Sequence, residues 1–100
     1  MARLDVHARR DGGPGYLLDV QADLLSALAT RLVVPLLPLD RAPAPAARLN
    51  PVFDIAGDRH VMVTQFAAAV HLRELGDRVA ILGDQHIPVT AALDLLITGV

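Results

Sequence analysis

Apolar and polar residues alternate in Leu4-Asp5-Val6-His7-Ala8, the period of a half-buried β-strand. A dense turn signal follows, Asp11-Gly12-Gly13-Pro14-Gly15. Residues 16–20 then read as a second strand, closing a hairpin with a longer loop whose approach carries Arg9 and Arg10. Between Ala22 and Thr30 the spacing changes: Leu24, Leu25 and Leu28 fit a helical turn that Asp23 is placed to cap. Residues 31–37 are apolar and β-branched at their centre, which predicts a strand stopping near Pro35 and Pro38. The alternation Ala42-Pro43-Ala44-Pro45-Ala46 favours extended polyproline geometry and withholds ladder donors, so it predicts a surface loop inside the domain.

Two further apolar runs, residues 51–55 and 60–64, flank Ala56-Gly57-Asp58 and predict another hairpin. Residues 66–70 are small and apolar, fitting either a connection or a short strand, and residues 79–82 read as a short strand or buried run between Gly76 and Gly83. The last stretch predicts a helix. Asp84 is placed as its cap, Pro88 is tolerable in its first turn, and Gly99 marks its stop. Val89, Leu93, Leu96, Ile97 and Val100 fall on one stripe at helical spacing. Strands followed by one terminal helix, with no βαβ alternation, predict a β-rich α+β fold: an antiparallel sheet or small barrel in a single domain over residues 1–100.

Composition sharpens this picture in one respect. Of the 100 residues, 53% are hydrophobic but only 3% aromatic, with no Trp, so the core must come from Leu, Val, Ala and Ile. So much apolar content in a small domain predicts exposed apolar surface, which a dimer would cover. The net charge of −2 argues against non-specific nucleic-acid binding and against electrostatic membrane attachment. The absence of Cys excludes disulfide scaffolds, thiolate metal sites and Cys nucleophiles. No run approaches the roughly 20 apolar residues of a membrane span, and residues 1–5 show no signal-peptide pattern, so the expectation is a soluble cytoplasmic protein.

Candidate chemistry is sparse. The histidines His7, His60, His71 and His86 show no i, i+4 pairing, so no metal site is expected, and His60 and His71 read as surface or half-buried strand residues. Ser26 is the only serine and lies in no nucleophile elbow. The glycine-rich loop leads into a strand, so it does not form a phosphate cradle on a helix start. Asp19 with Asp23, and Asp54 with Asp58, lack the neighbours that mark acid–base work. Arg9, Arg10 and Arg31 are candidate phosphate contacts for an RNase, set against a reading as ordinary surface charge. No catalytic residue and no cofactor are therefore assigned, and an interaction protein is what remains. Its apolar terminal helix would pack on the core, dimerise, or enter a partner's groove.

Five motifs in order carry a resemblance to a known family. These are Leu18-Asp19-Val20-Gln21-Ala22-Asp23-Leu24-Leu25; Arg31-Leu32-Val33-Val34-Pro35-Leu36; Leu49-Asn50-Pro51-Val52-Phe53-Asp54-Ile55; Met62-Val63-Thr64; and residues 92–100, ending in Gly99-Val100. Together they resemble the CcdB family of toxin–antitoxin gyrase poisons, nearly end to end. The resemblance implies a fold related to SH3-like barrels, with an antiparallel sheet, a small flanking sheet, one C-terminal helix and a homodimer that uses Leu96. It implies plasmid maintenance by a toxin that traps the DNA gyrase A subunit in its cleaved-DNA state. A cognate antitoxin would neutralise it with a disordered tail, and the pair would repress its own operon, touching DNA only through the antitoxin.

Carried over residue by residue, the resemblance implies gyrase contacts at Leu24, Leu25, Asp94, Thr98, Gly99 and Val100. The family has a Trp before the closing Gly where this chain has Thr98, and an aromatic where this chain has His60. Trp is a frequent interface anchor and Thr supplies far less apolar area. Two alternatives therefore stand beside gyrase poisoning. One is a chain that keeps dimerisation and antitoxin binding without gyrase. The other is an endoribonuclease of the related MazF type, using Arg9, Arg10 and Arg31.

Overall fold

The computed structural model describes residues 2–100. Seven strands form one sheet: β1 (Asp5–Arg9), β2 (Tyr16–Asp19), β3 (Thr30–Pro38), β4 (Val52–Ile55), β5 (Asp58–Met62), β6 (Ala68–His71) and β7 (Leu75–Ile81). One helix, α1 (His86–Thr98), ends the chain. The strand order is β4-β5-β3-β2-β1-β7 with β6 branching from β3, and every ladder is antiparallel. The result is the curled half-barrel with a C-terminal helix that the sequence pattern led us to expect. Residues 66–70, expected as a connection or a short strand, are some of each: Phe66 ends the 3-10 turn Thr64–Phe66 and β6 begins at Ala68.

β3 runs through Pro35 and ends at Pro38, the second of the two prolines expected to stop it. Its pairs run Tyr16↔Leu36, Leu17↔Pro35 and Leu18↔Val34 on the β2 side. On its other edge β6 covers Thr30 to Val33 and β5 covers Leu36 to Pro38, leaving Pro35 in the gap. The Pro35 carbonyl faces that same edge and accepts from Val63 N–H at 3.0 Å. Adjacent N–H and C=O groups of one residue point to one side of an antiparallel strand. The donor that Pro35 lacks would therefore have pointed where no strand runs, so the proline sits at no cost to the ladder.

Alternation along the strands gives the sheet two different faces. Val6, Leu18, Val34, Leu36, Ile55 and Met62 point to one side and form the main core with Leu4, Val20, Phe53 and Leu82. Val89 and Ala92 of α1, both fully buried, close it. On the opposite side, His7 pairs with Leu17, and Val33 pairs with Asp19. That face is also buried at His7, Asp19, Arg31 and Val33. Gly15 permits the β1–β2 hairpin to close, since it has φ of 82° and any Cβ there would collide with the Leu36 carbonyl oxygen.

Several local expectations are corrected. Neither Asp23 nor Asp84 caps its segment through its side chain. Ala22 precedes the short 3-10 turn Asp23–Leu25, and Gln85 precedes α1, itself led in by the 3-10 turn Gly83–Gln85. His60 is buried rather than half-exposed. Its Nδ1 lies 2.9 Å from the Asp58 carbonyl oxygen and its ring packs 5.2 Å from that of Tyr16. No helix among the described residues is long and apolar enough to cross a membrane.

Candidate interaction surface

The chain leaves β2 at Asp19 and returns at Thr30, and the loop between is built on buried polar groups. Arg31, almost wholly buried, holds the buried Asp19 carboxylate through Nε at 2.8 Å and a terminal nitrogen at 2.7 Å. The same guanidinium donates to the Gln21 carbonyl oxygen at 3.3 Å and stands 3.8 Å from Asp23. Gln21 in turn stitches the loop shut. Its side-chain amide donates to the carbonyls of Leu25 and Thr30, and its Oε1 accepts from Leu32 N–H at 2.9 Å. A charged pair inside a protein persists only when its remaining donors and acceptors are satisfied, and here the loop backbone satisfies them.

That scaffold lifts apolar side chains into solvent. Leu24 is 92% exposed, and Leu25 and Leu28 are about half exposed. Single exposed leucines are ordinary, whereas a cluster on a rigid loop marks an interaction surface. Leu24 and Leu25, which the resemblance offers for gyrase contact, lie in a 3-10 turn held from behind by Arg31 and Gln21.

The helix adds a second apolar element. Of the stripe expected from spacing, Val89 is buried and Leu93 packs against the core, while Leu96, Ile97 and Val100 are exposed; Ala92 is the other buried residue, and Ile87 is exposed. The reason is composition. α1 is apolar nearly all round, Asp94 being its only acidic residue and Lys and Arg being absent from it, so spacing could not choose a face. Asp94, Thr98 and Gly99 are exposed too. The Thr98 hydroxyl donates back to the Asp94 carbonyl at 2.7 Å and accepts from Val100 N–H at 3.4 Å. Gly99 closes the helix with φ of 78° and an amide bond to the Leu95 carbonyl at 3.0 Å. The Val100 carbonyl receives a 3.1 Å bond from Arg48.

The six residues form two groups. Arg3 bonds both to the Leu24 loop and to Thr90, which places that loop beside the first turns of α1. Thr90, Asp94 and Thr98 recur every four residues on one helix face, so Thr98 to Val100 lie roughly 12 Å farther along the axis at 1.5 Å per residue. Arg3, which links these parts, lies outside the five motifs, whereas Gln21 lies within the first of them. Arg31 did carry a signal: a charge within an apolar strand requires a buried partner, and Asp19 is that partner.

Of the three arginines offered for phosphate contact, Arg31 stands apart from the other two. Arg31 is internal and engaged with Asp19. Arg9 is paired with Asp11 at 2.8 Å and also donates to the Pro14 carbonyl. Arg10 donates to the Leu75 carbonyl at 2.8 Å. Arg9 and Arg10 border an open depression floored by Leu17, Pro35 and Val70. The Arg9 bond, with help from the Gly13 amide, lowers the Asp11 carboxyl below the ordinary carboxylate value. Among the described residues no three His, Asp or Glu side chains group as metal ligands.

A family model described as CcdB protein matches residues 3–99. No curated protein matches the chain.

Proposed function

Since the chain belongs to the CcdB family, the gyrase-poison toxins of toxin–antitoxin pairs, we propose that it binds the DNA gyrase A subunit and traps its cleaved-DNA complex. The contact surface is Leu24 and Leu25 of the loop with Asp94, Thr98, Gly99 and Val100 of the helix end. The observation that carries the reading is the exposure of Leu24 on a loop whose backbone is fixed by buried groups. A rigid apolar anchor loses little entropy on binding, which favours affinity. The activity is binding rather than turnover. The protein acts in the cytoplasm as a homodimer that covers Leu96, and its cognate antitoxin competes for it.

The test is purified protein added to the host gyrase with supercoiled DNA. The expected result is loss of supercoiling with accumulation of cleaved DNA after denaturation, reversed by antitoxin. Normal supercoiling and no cleaved DNA at saturating protein would refute gyrase poisoning.

Thr98 favours a second reading, in which dimerisation and antitoxin binding persist without gyrase. Its hydroxyl is already bonded to its own helix, and what it offers a partner is one methyl group. Antitoxin binding with no gyrase binding would select this reading. The endoribonuclease reading loses one of its three arginines, Arg31, which is buried on Asp19, while Arg9 and Arg10 still border one depression.

A further inference from the structure

Leu4 is nearly completely buried yet has φ of 70°, a conformation that residues carrying a Cβ seldom adopt. The sheet enforces it. Leu4 N–H donates to the Asp19 carbonyl at 2.6 Å, and the Leu4 carbonyl accepts from Leu82 N–H at 2.8 Å. Backbone held in a sparse region by its surroundings is a reason to ask what it positions. Here the kink turns the preceding residue, Arg3, away from the strand and into the seam between the loop and α1.

Arg3 bonds to both sides of that seam. Its main-chain N–H donates to Asp23 Oδ1 at 2.7 Å, its Nε to the Val20 carbonyl at 3.3 Å, and a terminal nitrogen to Thr90 Oγ1 at 3.2 Å. The planar guanidinium presents donors in a fixed fork, so one side chain spans two acceptors at a set separation. We propose that Arg3 is a positioning residue that fixes the Leu24 loop against α1, so that the two apolar elements meet a partner as one rigid surface. The benefit to binding rests on the reading that this surface takes gyrase A, while the positioning itself does not.

Four variants test it: Arg3→Leu, Arg3→Lys, Thr90→Val and the Arg3→Leu/Thr90→Val double. The amides of Leu25, Ser26 and Leu28, which bond within the loop, report its order by hydrogen exchange. Arg3→Leu keeps the main-chain bond to Asp23 and loses the side-chain bonds to Val20 and Thr90, and Thr90→Val loses the second of these; both should speed exchange of those amides about tenfold, with amides of β3 unchanged. Affinity for the gyrase A dimerisation fragment should fall about five- to tenfold, the scale of one lost hydrogen bond. Arg3→Lys should recover part of both, and the double variant should be no worse than Arg3→Leu. Unchanged loop exchange in Arg3→Leu would overturn the proposal, as would additive losses in the double variant. If the wild type fails to bind the fragment, the gyrase reading falls, and loop exchange alone then decides whether Arg3 positions the loop.

Discussion

Replacing Arg31 by Met removes the cation from a carboxylate that has no access to water. Asp19 is completely buried, accepts one hydrogen bond from Arg31 Nε at 2.8 Å and one from Gln21 N–H at 3.1 Å, and is ion-paired with a terminal nitrogen of Arg31 at 2.7 Å. After the substitution only the Gln21 amide faces that charge. Removing one partner of a buried pair costs about 3–5 kcal/mol, because the other charge stays buried and uncompensated. A domain of this size has a total stability of roughly 5–15 kcal/mol, so the variant should sit near the edge of folding. Asp19→Asn in the same background removes the stranded charge and should restore most of the loss. Arg31→Lys should fall between, because a point charge does not reproduce the fork. The assay is urea unfolding followed by circular dichroism at one fixed protein concentration, comparing midpoints at equal slope. An Arg31→Met variant within about 1 kcal/mol of the wild type would refute the reasoning, since that is the range of exposed pairs. So would a double variant less stable than Arg31→Met.

Three further outcomes are expected. Gly15→Ala combines a positive φ with a collision against the Leu36 carbonyl, so it should cost more than about 2 kcal/mol in the same unfolding assay. Thr98→Trp adds an aromatic at an exposed position beside Val100 and should tighten gyrase A binding by about 2 kcal/mol, roughly thirtyfold, by calorimetry. Asp11→Asn tests a pH dependence of known sign. The folded state lowers the Asp11 carboxyl, so its contribution is present above the unfolded pKa and lost as pH falls through the folded one. The variant's deficit in thermal stability should therefore be seen at neutral pH and vanish in acid, and a deficit that grew in acid would contradict the Arg9 and Gly13 contacts.

The strands were legible because alternation is a local property. Val6 and His7 sort themselves to two faces without knowledge of the rest of the chain, whereas Leu17 and Leu18 are both apolar and only their pairing tells their faces apart. Of the two prolines that signal a stop, Pro38 ends β3 and Pro35 does not, since the β5–β6 gap beside it is a tertiary fact. The buried stripe of α1 was also hidden: when Ile87, Val89, Leu93, Leu96 and Ile97 are all apolar, packing alone chooses which face turns inward. Of the candidate surface, Leu24, Leu25, Asp94, Thr98, Gly99 and Val100 come from the family pattern alone, and the structure adds that they are exposed. The support beneath them was not found. Arg3 and Thr90 meet across 87 residues of sequence, and no spacing rule reaches that far, while Gln21 ties the loop to itself and to β3.

The central claim is that Leu24 and the end of α1 bind gyrase A, and calorimetry of the purified protein against the gyrase A dimerisation fragment tests it most directly. The account predicts saturable binding for the wild type, and loss of binding with an unchanged melting temperature for Leu24→Asp, because that side chain touches solvent rather than core. No binding by the wild type, or equal binding by Leu24→Asp, would contradict it.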